Sequence, residues 1–395
     1  MPDTSTNPNP LLTSPHREQT RAPRPDPRGT RDTDVAAVVR ELPVDASAAV
    51  VWRALGAAGL ICGVYRDGGR PRVEPAALRR LLAALDDRLP VGATLGVCVQ
   101  LATALPLLGQ AADLCPPAAA ALPAVSRGED VVALAATDAG PGSDLTALAT
   151  TAEIGADHVV LNGRKRWITN AATARHLLVL ARHRPGGHFT DFTWVLVPAD
   201  APGVTIRPAG TTLFGAAGIG HVHLDGVRLP RSHVAGRVGH GLAVFARHIA
   251  TERLAGALWG VALCRRALAG TADRLDGRAL AGGTLGRHPV VRDRLARATV
   301  RLHALDALCR VHGEAVARDG DTVAAALLKA AVAETVEHVL ADCAHLQGAD
   351  GFAEDGAQTL RAQAGVFGVG GGTTEVVLGL LADNLPALLN RIRPT

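Results

Sequence analysis

The chain has 395 residues, 48% of them hydrophobic and 20% charged, which predicts a folded protein with more than one packed unit. Its net charge is +4 and its aromatic content is 3%, and both values argue against a nucleic-acid partner. The six cysteines have no CxxC spacing, so we expect reduced thiols, no metal site and a cytoplasmic protein.

The N-terminal part combines a polar tail with a helical unit. Residues 1–34 are rich in Pro, Thr, Asp and Arg and lack an apolar period, which predicts a disordered tail without a signal peptide. Residues 35–129 predict a small helical domain, because their apolar residues recur three and four positions apart. Its main helices are predicted at 48–60, 74–85 and 92–108. Charged residues, Gly and Pro interrupt the longest apolar stretches, so no membrane span is expected.

Residues 130–236 change to short runs of apolar and β-branched residues, which are typical of strands. The runs are 131–135, 158–161, 176–181 and 193–197. Asn162-Gly163 and Asp225-Gly226 each stand between two runs, as a tight hairpin turn would. This pattern predicts an antiparallel barrel or sandwich instead of a parallel nucleotide-binding sheet.

Residues 237–395 return to helical periodicity. Long helices are predicted at 242–275, 289–318 and 322–347, and a last one after the glycine-rich residues 368–372. Helices of this length pack as a bundle. The fold class predicted from the residues is therefore mainly α, with a β domain in the middle.

Three stretches carry a known pattern. They read ATDAGPGSD at 136–144, LNGRKRWITN at 161–170 and GGGTTEV at 370–376. In this order they resemble the T-E-P-G-A-G-S-D, L-N-G-x-K-x-W-I-T-N and Y-E-G-T-x-E-I signatures of the acyl-CoA dehydrogenase family. The resemblance implies an N-terminal helical domain, an antiparallel β-barrel domain and a C-terminal four-helix bundle. It also implies FAD between the barrel and the bundle, in a homodimer or homotetramer.

The resemblance assigns cofactor contacts to both motifs of the β domain. Thr137 would contact the pyrimidine edge of the flavin, Thr169 would lie near N5, and Trp167 would cover one face of the ring. Ser143 would contact both the cofactor and the thioester ligand. The alternative from the residues alone is a barrel in which Thr and Trp are ordinary strand residues.

Further contacts are implied in the C-terminal part. The glycine-rich run opens a helix and would offer free N–H groups to an anion, and Thr373 and Glu375 match positions near the AMP part of FAD. Arg278 and the Gly348 loop match groups that reach the FAD of a neighbouring subunit. Other positions of that cross-subunit site differ from the family, because Ala281 replaces a phenylalanine and His345 replaces a glutamine.

One departure concerns the reaction itself. The family's usual catalytic glutamate falls at Gly371, which cannot take a proton, although the backbone N–H at this position could polarise a thioester carbonyl. Gly372 would lie beside the same ligand.

Glu252 is the predicted replacement base. It lies in an apolar stripe along one helix face, formed with Phe245, Ile249, Gly256, Trp259 and Leu263. Burial there would raise the pKa of its carboxyl, as a general base for a weak carbon acid requires. Some family branches carry their base in a similar Glu-Arg pair, so Arg253 is predicted near the ligand. The alternative is a structural glutamate paired with Arg253, Arg247 or His248.

The predicted activity is α,β-dehydrogenation of an acyl thioester on CoA or on a carrier protein, an oxidoreductase reaction at a CH–CH group. The hydride would pass to flavin N5, and the electrons would go on to an electron-transfer flavoprotein or to oxygen. A flavin oxidase or monooxygenase on the same fold is one alternative. The other is a non-catalytic relative that binds an acyl thioester or a partner subunit.

Overall fold

Two helical regions flank a β-sheet in the computed structural model, which describes residues 34–66, 72–140, 142, 144–280 and 282–392. The predicted three-part architecture is therefore confirmed. The tail predicted at 1–34 lies outside the described residues, except for Asp34. That residue belongs to the first helix, because its side chain accepts a hydrogen bond from the Ala36 N–H at 3.0 Å as the N-cap.

Six helices and a two-strand hairpin form the N-terminal region. They are α1 Val35–Arg40, α2 Ala48–Ala57, β1 Tyr65–Arg66, β2 Arg72–Val73, α3 Pro75–Arg88, α4 Val91–Val99, α5 Leu105–Ala111 and α6 Pro116–Ser126. Ser47 caps α2 through its side chain, and proline occupies the first turn of α3 and of α6, where its missing N–H costs nothing. The helix predicted at 92–108 is divided, because a π turn at Gln100–Ala104 separates α4 from α5.

The middle region is a curled seven-stranded sheet. Its strands are β3 Val132–Ala135, β4 Thr151–Ile154, β5 His158–Ile168, β6 His176–Arg182, β7 Phe192–Pro198, β8 Val204–Pro208 and β9 Gly220–Pro230. Their order is β3-β6-β4-β5-β9-β8, with β7 paired to β6. Pairing is antiparallel except between β3 and β6 and at one residue pair between β4 and β6. The buried aliphatic side chains of this sheet form a cluster that is separate from the main core.

The two hairpin turns predicted in this region are wrong. Asn162-Gly163 lies inside β5 and Asp225-Gly226 lies inside β9. The two dipeptides face each other at an irregularity in the β5–β9 pairing, where the Gly226 N–H donates to Asn162 Oδ1 at 2.8 Å. Turn-type residues therefore mark a bulge here, and the strands continue through it because their alternating side chains stay buried on both sides of the break.

The C-terminal region is built on three long helices. Its elements are α7 Gly241–Gly277, β10 Ala279–Leu280, β11 Gly283–Thr284, α8 Pro289–Asp319, α9 Thr322–Gln347, α10 Ala357–Ala364, α11 Val366–Val369, α12 Thr374–Asp383 and α13 Leu385–Arg391. Asp321 caps α9 by accepting the N–H groups of Val323 and Ala324. The predicted long helices are thus confirmed.

The main core joins the two helical regions. Helix α7 packs against α3 of the N-terminal region and against α8 and α9 of the bundle. Its buried Trp259 and the buried Trp52 of α2 belong to one continuous apolar cluster. Because α4 also packs against α7, the two regions enclose a cleft between them.

Two helical stretches are long and apolar enough to span a membrane by length and hydropathy, although no membrane span is expected from the sequence. They are Val91–Ala111 and Ala357–Asp383. The most apolar window of the first is 89% buried, as in the core helix of a folded domain. The corresponding window of the second is 17% buried, and this stretch is broken into α10, α11 and α12. Such features alone are weak evidence for a membrane.

Candidate active site

A partly open cleft lies between the two helical regions. Its walls come from α4, α7, α9, α11 and the glycine-rich loop after α11. The lining residues are Leu95, Cys98, Val99, Glu252, Arg253, Gly256, Trp259, Lys329, Val332, Val366, Phe367, Gly370 and Gly371. The structure thus brings together Glu252, Arg253 and Gly371, which are predicted from the sequence to meet the substrate.

Glu252 is the one carboxylate among these lining residues. Its Oε2 accepts a hydrogen bond from Thr103 Oγ1 at 2.5 Å, and Thr103 itself is fully buried. Burial raises the pKa of the Glu252 carboxyl above its usual range. The bond from Thr103 and the charges of Arg253 and Lys329 lower it in part. The carboxylate therefore stands in an apolar cleft with one neutral donor on it.

The ion-pair alternative for Glu252 finds no support in the contacts of its neighbours. Arg253 Nε donates to the Gly371 carbonyl at 3.0 Å, and His248 Nε2 lies 2.9 Å from Gln110 Oε1. The side chain of Arg247 is exposed. Within the described residues, Glu252 forms no ion pair, so its carboxylate remains available to a ligand.

Thr103, which bonds to Glu252, lies in the π turn between α4 and α5. The Leu105 N–H donates to the Gln100 carbonyl five residues back, which widens the helix at this point. The side-chain amide of Gln100 in turn bonds to the backbone of Val132 in β3, which fixes the turn. Sequence reasoning missed Thr103, although Pro106 inside an apolar helical pattern is a signal of such an irregularity.

The loop after α11 presents backbone groups to the cleft. Gly371 and Gly372 have φ values of +72° and +101°, which L-residues with side chains rarely adopt. A Cβ atom added at Gly371 would lie 3.9 Å from Glu252 Oε1. Within the described residues, the Gly371 N–H has no hydrogen-bond acceptor. It is therefore a free donor close to the carboxylate.

Lys329 is a lining residue that sequence reasoning did not find. It lies on α9, its side chain is buried, and its ammonium group donates to the Phe367 carbonyl at α11. Burial lowers the pKa of Lys329 to about 8. The apolar surroundings of this position in the sequence, Leu328 and Ala330, indicate burial but not which wall the amine faces.

The two motifs of the β domain form one unit. The Arg166 N–H donates to the Thr137 carbonyl at 3.1 Å, and the half-buried Thr137 side chain lies at this junction. Beside it, Lys165 Nζ and Asp138 Oδ1 form a buried ion pair of 2.5 Å. The loop of the first motif is therefore fixed to β5, which carries the second. Ser143 lies outside the described residues.

The end of β5 has an unusual backbone. Trp167 and Asn170 are the non-glycine residues with positive φ in the described chain, at +57° and +66°. Trp167 is 55% exposed, and its ring meets His221 edge-on at 5.3 Å between ring centroids. Thr169, the residue predicted near N5, is half-buried in the same turn. A bulky residue in this conformation costs about 1–3 kcal/mol and is concentrated at functional sites.

This turn adjoins the cleft through helix α4. Asn170 is buried, and its Nδ2 donates to the Gly96 carbonyl at 3.0 Å. The preceding residue of α4, Leu95, lines the cleft. The β-domain motifs and the carboxylate cleft therefore share one supporting helix.

The remaining predicted residues lie in two places. Arg278 and Gly348 come together, since a Cβ added at Gly348 would be 3.7 Å from Arg278 Nη1. Thr373 and Glu375 begin α12, where the Thr373 side chain makes no capping bond and Glu375 is exposed. Ala281 lies outside the described residues.

Family sequence models match both the sheet and the bundle. The acyl-CoA dehydrogenase middle domain matches residues 133–227, and the acyl-CoA dehydrogenase C-terminal domain matches residues 239–385. The chain belongs to the acyl-CoA dehydrogenase family. The two models cover the motif strands of the β domain and the helices that carry Glu252, Lys329 and Gly371.

Individual relatives agree with this assignment to the acyl-CoA dehydrogenase family. Acyl-CoA dehydrogenase IpdE1 of Mycobacterium tuberculosis is 33% identical over 195 residues, 49% of each chain. Acyl-[acyl-carrier-protein] dehydrogenase MbtN of Mycobacterium sp. (strain MCS) is 31% identical over 268 residues, 65% of this chain and 66% of the relative. The chain thus spans about half to two thirds of the length of these curated relatives.

The solved structures show the same fold. A glutaryl-CoA dehydrogenase from Mycobacterium smegmatis, determined in complex with FADH2, superposes with a TM-score of 0.78. The match covers 90% of this chain and 95% of that one at 21% sequence identity. At this identity the likeness concerns the acyl-CoA dehydrogenase fold alone.

Proposed function

We propose that the protein is an FAD-dependent oxidoreductase that introduces an α,β double bond into an acyl thioester. The observation that carries the proposal is Glu252, a carboxylate without an ion-pair partner among the described residues, in an apolar cleft beside a free backbone donor. A base near a donor for a carbonyl oxygen is the pair of groups that removal of a proton α to a thioester requires. The named activities of similar proteins support the same reaction class.

The turn at the end of β5 fits a flavin. Its exposed Trp167 ring offers a flat apolar face, and its strained backbone is of the kind found at ligand-binding sites. Thr137 and Thr169 would offer hydroxyl groups to the polar edge of the ring, and Ser143 would join them. Thr373 and Glu375 would lie near the AMP part of the FAD, and Arg278 and the Gly348 loop would reach the FAD of a neighbouring subunit. When bound there, FAD supplies the acceptor for the hydride removed from the substrate.

Glu252 and the Gly371 loop would orient and activate the thioester. The Gly371 N–H would donate to the thioester carbonyl, which acidifies the α carbon, while Glu252 takes the α proton. Arg253 holds the loop in place through the Gly371 carbonyl, and Gly372 allows the chain to pass close to the ligand. The apolar walls exclude water, which strengthens both interactions.

The acyl carrier and the electron acceptor follow from the partners that the family implies. The thioester would be carried on CoA or on an acyl-carrier protein, and the electrons would pass to an electron-transfer flavoprotein or to oxygen. We also propose a homodimer or homotetramer. Exposed apolar side chains on α12, on α13 and just after α13 support it, among them Val376, Leu378, Leu385, Leu389 and Ile392.

Reconstitution and anaerobic reduction test the proposal together. The purified protein should bind FAD, and a panel of acyl-CoA thioesters should bleach the flavin absorbance without oxygen. A protein that stays colourless with FAD would favour a non-catalytic thioester-binding relative. A yellow protein that no thioester reduces, but that reacts with oxygen after chemical reduction, would favour an oxidase or monooxygenase.

A further inference from the structure

We propose that Lys329 makes the cleft selective for acyl thioesters whose acyl group carries a carboxylate. This inference rests on the proposed function and names its substrate class. Lys329 is 3% exposed as a residue, and it lines the cleft from α9. Burying an ammonium group costs a large desolvation free energy unless acceptors or a negative charge offset it.

The fold supplies only part of that compensation. In the described part of the chain, the ammonium group has one hydrogen-bond acceptor, the carbonyl oxygen of Phe367. An ammonium group has three N–H donors, so two remain for a ligand. The described ion pairs do not include Lys329, and the lining residues of the cleft include the apolar Val332, Val366 and Phe367. The group is therefore built to meet an anion that the protein itself does not provide.

The charged groups that face Lys329 also indicate that the cleft lacks an anion. On α7, Glu252 is bound by Thr103, and Arg253 is bound to the Gly371 carbonyl. On α12, Glu375 contributes a charge from an exposed position. The lining thus has two cations and one carboxylate. One carboxylate on the substrate would balance the charges of the cleft.

The position of the amine limits the length of the acyl group. A Cβ added at Gly371 would lie 3.9 Å from Lys329 Cε and 3.9 Å from Glu252 Oε1. The Lys329 side chain and the Glu252 carboxylate therefore approach the same point beside Gly371. Because Glu252 is the proposed base, the α carbon of the substrate would react near this point. A carboxylate only a few bonds from the α carbon would reach Lys329, which indicates a short acyl group.

Several contacts hold the wall of the cleft that Trp259 and Phe367 form. The Trp259 and Phe367 rings pack at 4.8 Å between centroids. Trp259 Nε1 donates to Asp86 at 2.9 Å, and Arg266 holds the same carboxylate at 2.8 Å. A wall fixed in this way does not readily move aside for a long chain, which agrees with a short, charged acyl group.

The test compares two thioesters of equal chain length. Glutaryl-CoA carries a terminal carboxylate, and valeryl-CoA is its neutral counterpart. Calorimetric binding to the FAD-loaded, full-length Glu252→Gln protein avoids turnover. We expect glutaryl-CoA to bind at least about tenfold more tightly. Adding Lys329→Met should weaken glutaryl-CoA by roughly 10–100-fold and valeryl-CoA far less, as expected for loss of a charged hydrogen bond.

Two further variants separate selectivity from folding. Lys329→Gln keeps a donor for the Phe367 carbonyl and removes the charge, so it should lose the preference with an unchanged thermal unfolding temperature. Lys329→Arg keeps the charge and should retain part of the preference. Equal binding of the two thioesters to the parent protein would overturn the inference, and so would an equal loss for both in Lys329→Gln.

The outcome is independent of the reaction itself. Binding is measured without flavin reduction, so a protein that no thioester reduces would contradict the proposed function while its binding preference still tests Lys329. Conversely, reduction by valeryl-CoA as efficient as by glutaryl-CoA would support the function and refute the selectivity.

Discussion

The two lysines of the sequence are both buried, one in the β domain and one in the cleft, and their surroundings differ. Burial lowers the pKa of each to about 8. Lys165 has a complete set of partners: Asp138 at 2.5 Å, the Ala136 carbonyl at 3.0 Å and the Leu180 carbonyl at 2.6 Å. Lys329 has one carbonyl among the described residues.

This difference distinguishes a structural ion pair, at Lys165, from a binding site, at Lys329. Asp138 also accepts the N–H groups of Ala149 and Thr150 and the Thr150 hydroxyl, each at 2.7 Å. The β-domain pair therefore satisfies itself and fixes the loop beside Thr137. The cleft keeps polar groups unsatisfied, at a cost that only a ligand can offset. A buried charged group indicates a binding site when its set of hydrogen-bond partners is incomplete.

Removing each lysine tests the comparison most strongly. Lys165→Met leaves Asp138 buried with an uncompensated charge, so we expect a loss of about 3–5 kcal/mol in the free energy of unfolding. Lys329→Met leaves no carboxylate buried without a partner, and its loss in the free energy of unfolding should be below about 1.5 kcal/mol. Urea unfolding followed by circular dichroism measures both. Equal losses would contradict the distinction between a structural lysine and a ligand-binding one.

The second test concerns the hydrogen bond from Thr103 to Glu252. Thr103→Val removes the bond that lowers the pKa of Glu252, so that pKa should rise further. The base must be ionised to act, so the rate of flavin reduction falls as the pH drops through this pKa. The acid limb of the pH profile should therefore move to higher pH, and the reduction rate on that limb should be lower than in the wild type at the same pH.

Thr94 provides a matched control on the neighbouring helix. Among the described residues its buried hydroxyl has no hydrogen-bond partner, so Thr94→Val should leave the pH profile in place. An unshifted limb in Thr103→Val would show that the threonine does not act on the base.

The smallest effect is expected at the glycine loop. Gly371→Ala forces a side chain into a backbone with φ of +72°, which should cost about 1–2 kcal/mol of stability without a steric clash. The control is Gly270→Ala, in an open position inside α7, which should stabilise by roughly 0.5–1 kcal/mol. Thermal unfolding measures both, and a stabilised Gly371→Ala would contradict the conformation of the loop.

Periodicity and caps were enough to predict much of the fold. Helix α9 begins and ends where its apolar period does, because Asp321 caps its start and Gly348, with φ of +60°, ends it. The cleft position of Glu252 also follows from its place in an apolar helix stripe. Such features depend on residues close in the sequence.

The features of the fold and of the site that the sequence does not predict depend on contacts between distant residues. Thr103 and Glu252 are 149 positions apart, and Lys329 and Phe367 are 38 apart, so neither contact leaves a local pattern. Asn162-Gly163 shows the opposite problem, since a strong local turn signal is overridden by the pairing of two long strands.

The most direct test of the account is the rate of flavin reduction in Glu252→Gln under anaerobic conditions. The wild-type protein, loaded with FAD, should be reduced by its thioester. Glu252→Gln should retain FAD and bind the thioester within a few-fold, but lose roughly 10²–10⁴-fold in the reduction rate. Glu334→Gln, an exposed carboxylate on α9, is the control and should keep the wild-type rate. An unchanged reduction rate in Glu252→Gln would contradict the assignment of Glu252 as the base.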